Sequence, residues 1–127
     1  MSPSETVNAF IAAIEAKDVE TAVSLASENI SYENMPTDPI IGLSGLTKTL
    51  KNFLGPATTV EWRILEQWEV GPTVVNERLD RFQIGTGWLE LPVAGVFKVD
   101  QDGKIALWRD YFDMATYTRQ CAELTAK

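Results

Sequence analysis

The sequence predicts an α+β domain: helices come first, and an antiparallel sheet follows that curves around an apolar interior. Three observations lead to this. Up to Leu54, apolar residues recur at helical spacing. Beyond it, four long runs are rich in β-branched and aromatic residues. Glycine-bearing turn signals separate those runs. No repeat, low-complexity tract or linker interrupts the chain, so residues 1–127 are expected to form one domain.

The first helix is announced by Ser2-Pro3-Ser4-Glu5, with serine at the cap, proline in the first turn and glutamate three residues after the cap. Val7, Phe10, Ile11 and Ile14 then share a helical face. Asp18 can cap a second helix, with Val19, Ala22, Val23 and Leu25 turned inward. A short extended piece, Ile30–Asn34, precedes the proline-rich loop MPTDPIIG. A third helix is expected over Leu46–Leu54, ended by Gly55-Pro56. The four runs Thr58–Val70, Thr73–Ile84, Trp88–Val99 and Lys104–Phe112 read as strands. Between them lie Gly71-Pro72, Gly85-Thr86-Gly87 and Asp102-Gly103. A last helix is expected to begin at Met114.

Composition narrows the function. A net charge of −7 and the lack of any basic cluster argue against a nucleic-acid or anionic-membrane partner. No run has the length of a membrane span or the pattern of a signal peptide, so the expected location is the cytoplasm. Cys121 is the only cysteine, which leaves no internal disulfide. The chain has no histidine, which removes Ser-His-Asp and Cys-His chemistry and histidine-bound zinc. Acid–base work near neutral pH would fall mainly to carboxylates, tyrosines or lysines with shifted pKa values. Asp100-Gln101-Asp102-Gly103 resembles a calcium loop only faintly; it lacks the later ligands, and a hairpin turn explains it. No metal site is expected.

Strand alternation then isolates five polar residues. Val74, Asn76, Arg78, Asp80, Phe82 and Ile84 share one face, apolar at both ends and charged at its centre. Tyr32 and Asn34 lie with Ile30, and Asp110 lies with Ala106, Trp108 and Phe112. Tyr32, Asn34, Arg78, Asp80 and Asp110 thus occupy faces otherwise suited to a core. Taken singly, each fits a polar network that fixes strand pairing. Together they suit an Asp–Arg–Asp assembly, one guanidinium serving two carboxylates, with neutral groups beside it for a water molecule. Burying that set for stability alone is costly.

At these residues the chain resembles the limonene-1,2-epoxide hydrolases. The similarity rests on YENMP (Tyr32–Pro36), ERLDRF (Glu77–Phe82), GVFKVDQDGKI (Gly95–Ile105) and WRDYFD (Trp108–Asp113), in matching order from the first helix to Phe112. The resemblance implies a cystatin-like, nuclear-transport-factor-2-like cone. In that fold, N-terminal helices pack in the concave face of a strongly curved, mixed, mostly antiparallel sheet. It implies that Tyr32 and Asn34 hold a water molecule with Asp110 as general base. Asp80 would protonate the epoxide oxygen, and Arg78 would bridge the carboxylates. It also implies a homodimer, and one-step ring opening without metal, cofactor or covalent intermediate.

The chemistry suits the residues. An epoxide is strained but has a poor leaving group, so a base acting on water and an acid acting on oxygen both help. Two nearby carboxyls in an apolar pocket tend to share one proton, which leaves them in the opposite states required. A hydrophobic epoxide calls for apolar walls. Candidates are Met35, Leu79, Phe82, Trp88, Leu107 and Phe112, with Met114 and Tyr117 as further possibilities, each equally suited to core packing. Trp62 and Trp68 are expected to support the sheet or a subunit contact, and Cys121 to be an apolar helix residue. An epoxide-opening cyclase could use the same two aspartates. An isomerase of the ketosteroid type, or a non-catalytic ligand-binding module, would have no need for the bridge.

Overall fold

The computed structural model describes residues 1–125. Their elements are α1 (Pro3–Glu15), α2 (Val19–Ser24), β1 (Ala26–Asn34), β2 (Ile40–Ile41), α3 (Leu43–Leu54), β3 (Thr59–Val70), β4 (Thr73–Ile84), β5 (Gly87–Val99), β6 (Ile105–Tyr111) and α4 (Met114–Thr125). The strands form one sheet in the order β2-β1-β6-β5-β4-β3. Every pairing is antiparallel except β1 with β6. None of the helices in this range is long and apolar enough to cross a membrane.

The sheet curls strongly. Trp62 on β3 and Trp108 on β6 are three strands apart, about 14 Å across a flat sheet. Their ring centroids are 5.8 Å apart. The helices fill the hollow so formed. Helix α1 has the capping box the sequence announces, with Ser2 Oγ accepting from Glu5 N and Ser2 N donating to Glu5 Oε1. Its Val7, Phe10, Ile11 and Ile14 are buried. Phe10 meets Trp108 edge-on with centroids 5.1 Å apart.

Several boundaries differ from the sequence reading. Helix α3 begins at Leu43, not Leu46, after a Gly42 cap at φ 90° with no side-chain cap bond, so no cap signal marked it. Ile40–Ile41, inside the expected loop, pairs with Ser31 and Tyr32. Strand β1 reaches back to Ala26 through an irregularity between Ala26 and Ser31. In α2 only Ala22 is fully buried, while Val19, Val23 and Leu25 pack half-buried against the core. Asp100 Oδ1 accepts from the backbone N–H of Asp102 and Lys104, a hairpin turn with Gly103 at φ 77°.

Pro92 sits inside β5, where a missing N–H would normally break a central ladder. Strand β6 ends opposite Ala94, so β5 from Gly87 to Val93 is a free edge on that side. Helix α4 covers this edge. Gln120 donates to Glu90 O at 2.7 Å and accepts from Glu90 N at 2.7 Å. Replacing it with alanine should speed amide hydrogen exchange at Glu90 while leaving exchange at Phe97, in the paired half of β5, unchanged. Equal protection of Glu90 in both proteins would show that α4 does not seal the edge.

Candidate active site

Strand register arranges the concave face in rows. Tyr32, Trp108, Phe97 and Val74 make one apolar row. The next contains Asn34, Asp110, Gly95, Asn76 and Gln67. Val93, Arg78 and Ile64 follow, then Leu91, Asp80 and Trp62, and then Leu89, Phe82 and Val60. A narrow polar band is therefore set between apolar layers. Arg78, Asp80, Asp110 and Tyr32 are all buried, at 1%, 3%, 4% and 4% exposure.

Arg78 holds both carboxylates. Its Nε donates to Asp80 Oδ1 and its Nη2 to Asp80 Oδ2, each at 3.0 Å. Nη2 also donates to Asp110 Oδ2 at 2.9 Å, and Nη1 to Asn76 Oδ1 at 2.8 Å. Trp108 Nε1 donates to Asp110 Oδ1 at 2.9 Å. Arg78 stands on β4 and Asp110 on β6, so the guanidinium must cross β5 between them. It crosses at Gly95. A Cβ there would collide with Arg78 Nη1 and come within 2.9 Å of Asp110 Oδ1 and 3.0 Å of Asn76 Oδ1. The rings of Trp62 and Phe97 lie 4.9 and 5.8 Å from the Arg78 Cζ.

Burial sets the protonation. Desolvation works against the Arg78 charge, but Asp110 and Asp80 outweigh it and push its pKa up. Burial is also the largest influence on Asp80; opposed by the Arg78 charge, it still pushes the carboxyl up to about 6. Asp110 is likewise pushed up by burial, against Arg78 and the Trp108 N–H. One guanidinium cannot hold both acids ionised at low cost, so the pair favours a single shared proton. Burial, followed by the Asp110 charge, pushes Tyr32 up and keeps it a neutral phenol. Its hydroxyl accepts from Asn34 Nδ2 at 3.1 Å, and its ring stacks on Trp108 at 4.0 Å.

Above this floor opens a cavity of about 460 Å³ bordered by Tyr32, Asn34, Asp80 and Asp110. Of the expected wall residues, Phe82 and Phe112 line it, as do Met114, Tyr117 and Cys121 of α4. Four do not. Leu79 and Leu107 fall on the opposite strand face from Asp80 and Asp110, as their odd numbers require. Trp88 shares the outward face with Glu90 and packs over Arg81, whose Cζ is 4.1 Å from the ring. Met35 is 47% exposed beyond the end of β1. The opposite correction applies to Trp62, which is buried in the cavity wall; Trp68 is 50% exposed.

The sequence reading also missed what holds the arginine. Asn76 Nδ2 donates to Gln67 Oε1, and Gln67 Nε2 donates to Asn8 Oδ1 on α1. A bulge between Ile64 and Glu66 reverses the parity of β3 and turns Gln67 toward Asn76. Gly95 had a legible signal, a glycine inside a strand, which marks close backbone approach. Gly95→Ala is expected to cost about 3 kcal/mol in urea unfolding, because it drives the guanidinium from one buried partner. Ala94→Val, on the outer face, should stay within about 0.5 kcal/mol of the parent.

The limonene-1,2-epoxide hydrolase catalytic-domain family model matches residues 1–123. Epoxide hydrolase EphG of Mycobacterium tuberculosis is 36% identical over 108 residues, which is 85% of this chain and 71% of EphG. The structure of an M. tuberculosis epoxide hydrolase of the same type superposes with a TM-score of 0.80 at 33% identity, covering 91% of this chain and 85% of that one. A cystatin-fold protein from Novosphingobium aromaticivorans superposes at a TM-score of 0.78 over 87% of this chain and 97% of its own; at 24% identity, that likeness concerns the fold. The chain belongs to the limonene-1,2-epoxide hydrolase family.

Proposed function

We propose that this enzyme adds water to a hydrophobic epoxide in one step, giving a vicinal diol. The observation that carries the reading is one guanidinium hydrogen-bonded to two buried carboxylates on the floor of an apolar cavity. Water held by Tyr32, Asn34 and Asp110 attacks a ring carbon and gives a proton to Asp110. The ring C–O bond breaks, and its oxygen takes a proton from Asp80. Water's oxygen becomes one hydroxyl and the ring oxygen the other. No metal, cofactor or covalent intermediate takes part.

Surroundings support these roles. Asp110 is paired in register with Asn34 and lies one strand residue-pair from Tyr32, so the neutral groups able to hold water are on its side. Asp80 is flanked in register by Leu91 and Trp62, and among the described residues its hydrogen-bond partner is Arg78 alone. An environment with few polar groups favours the neutral acid. Family membership also supports a homodimer whose small-molecule partners are an epoxide and water.

A panel of terpene, cyclic and aryl epoxides in ¹⁸O-water tests the reading. Diols with one labelled oxygen are expected; unreacted epoxides, with cyclic ethers formed from hydroxy-epoxides, would point to a cyclase. Asp80→Asn and Asp110→Asn should each lower kcat by about 10²–10⁴-fold with the fold intact. Tyr32→Phe should cost less, because Asn34 and Asp110 still hold the water.

The pH dependence has a definite sign. Protonated Asp80 is the active form, so kcat/KM should fall about tenfold per unit as pH rises above its pKa of about 6. On the acid side the rate should fall as Asp110 takes up a second proton. Stability follows the same direction. A carboxyl raised from 3.8 to about 6 favours the fold below the lower value and loses that contribution as pH rises through the upper one. A flat kcat/KM profile from pH 5 to 8 would contradict the shared proton.

A further inference from the structure

Asn76 is fully buried in the polar band and does not border the cavity, so it has no direct use for substrate. Its side-chain amide is nonetheless tied at both ends. Oδ1 accepts from Arg78 Nη1 at 2.8 Å, and Nδ2 donates to Gln67 Oε1 at 3.0 Å. Gln67 Nε2 donates in turn to Asn8 Oδ1 at 2.9 Å. Gln67 is half-buried and Asn8 is exposed, so a chain of three neutral amides runs from the guanidinium to the protein surface.

The direction of this chain is forced. Arginine has donors only, so Asn76 must turn its oxygen inward and its nitrogen outward. A flipped amide would set N–H against N–H in a buried place, which is costly. Gln67 supplies the acceptor that holds Asn76 the right way round, and Asn8 holds Gln67 in the same sense. The contact is mechanically useful. Nε and Nη2 of Arg78 bind Asp80 along one edge of the guanidinium, which leaves the plane free to swing about that edge. Such a swing carries the other N–H of Nη2 off Asp110. Nη1 is the far corner, and Asn76 holds it.

We propose that Asn76, oriented by Gln67, is a positioning residue for epoxide opening: it pins the far corner of the Arg78 guanidinium so that Nη2 serves Asp80 and Asp110 at once. This rests on the acid and base roles given above to the two aspartates. As one acid gives up its proton and the other gains one, the cation must stay in contact with both, and a small tilt away from Asp110 raises the barrier. Asn76 takes no part in proton transfer and touches no substrate. Its effect therefore belongs to kcat and leaves KM nearly untouched.

Asn76→Leu keeps the volume and removes the acceptor; with styrene oxide as substrate, kcat should fall roughly thirtyfold, the worth of a hydrogen bond to a charged group. Two variants at Gln67 leave every contact of the guanidinium in place and separate orientation from packing. Gln67→Met keeps the length and frees Asn76 to turn, so kcat should fall roughly fivefold, the worth of a neutral hydrogen bond. Gln67→Glu retains the acceptor for Asn76 Nδ2, and the exposed Asn8 can turn its own amide to donate, so kcat should return to near the parent value. KM should stay within about twofold throughout, because neither position borders the cavity. Parent-like kcat in Gln67→Met, or a Gln67→Glu enzyme as slow as Gln67→Met, overturns the proposal. Near-normal turnover by Asp80→Asn or Asp110→Asn would instead overturn the acid–base reading, and the role of Asn76 with it.

Discussion

A single guanidinium crossing a strand is the contact on which the rest of the site depends. Arg78 and Asp110 belong to strands separated by β5, with backbones about 10 Å apart. Only a long side chain can close that distance, and only where the intervening strand has no side chain of its own. Gly95 supplies the gap. A lysine could reach as far, but its point charge could not serve Asp80 with two parallel N–H groups while serving Asp110 and Asn76 with others. Register, glycine and curvature thus act together: the register sets Asn76, Gly95 and Asp110 in one row and Trp62 diagonally beside Arg78, and the curl brings the Trp62 ring to Trp108.

Such a cluster is a costly way to stabilise a fold. Its ions lose their hydration, and apolar residues of similar volume would often serve the fold as well or better. The rows around it offset this cost. Phe10, Phe97 and Trp108 form a mutually packed aromatic group beneath the cluster, with Tyr32 stacked on Trp108. The same group excludes water from below, which strengthens each ionic contact above it. Packing and site chemistry are therefore hard to separate in this fold.

Much of this was legible because strands obey a period of two. Parity alone places Arg78, Asp80 and Phe82 together, and Trp108 with Asp110 and Phe112. Parity also argues against Leu79 and Leu107, and the Glu90 on Trp88's face argues against Trp88; size and apolarity alone do not make a wall residue. What the pattern could not contain was the pairing between strands. Trp62 reads like Trp68, an aromatic residue among glutamates, until the register sets it opposite Asp80. Gln67 is unreadable for a different reason. The bulge before Glu66 inverts the parity of β3, and no residue type announces it. Gly42 hides the start of α3 in the same way, since a cap without a side chain leaves no capping signature.

The proton arithmetic explains why one arginine suffices. In the proposed reaction the two carboxyls begin with one proton, on Asp80, and end with one, on Asp110. The pair carries a single negative charge throughout, and Arg78 carries the matching positive one. On this scheme no net charge would be created in the apolar cavity as the ring opens, so the barrier would contain little of the reorganisation that separating ions in such a place demands. The guanidinium is bonded to both acids, so a proton moving from one side to the other leaves its charge in contact with whichever carboxylate remains ionised. A site with one carboxylate would have to create and then dispose of an alkoxide. A site with two carboxylates and no bridging cation would hold an uncompensated charge in a place with almost no water. The Asp–Arg–Asp arrangement would avoid both costs while supplying the push and the pull from which epoxide opening gains.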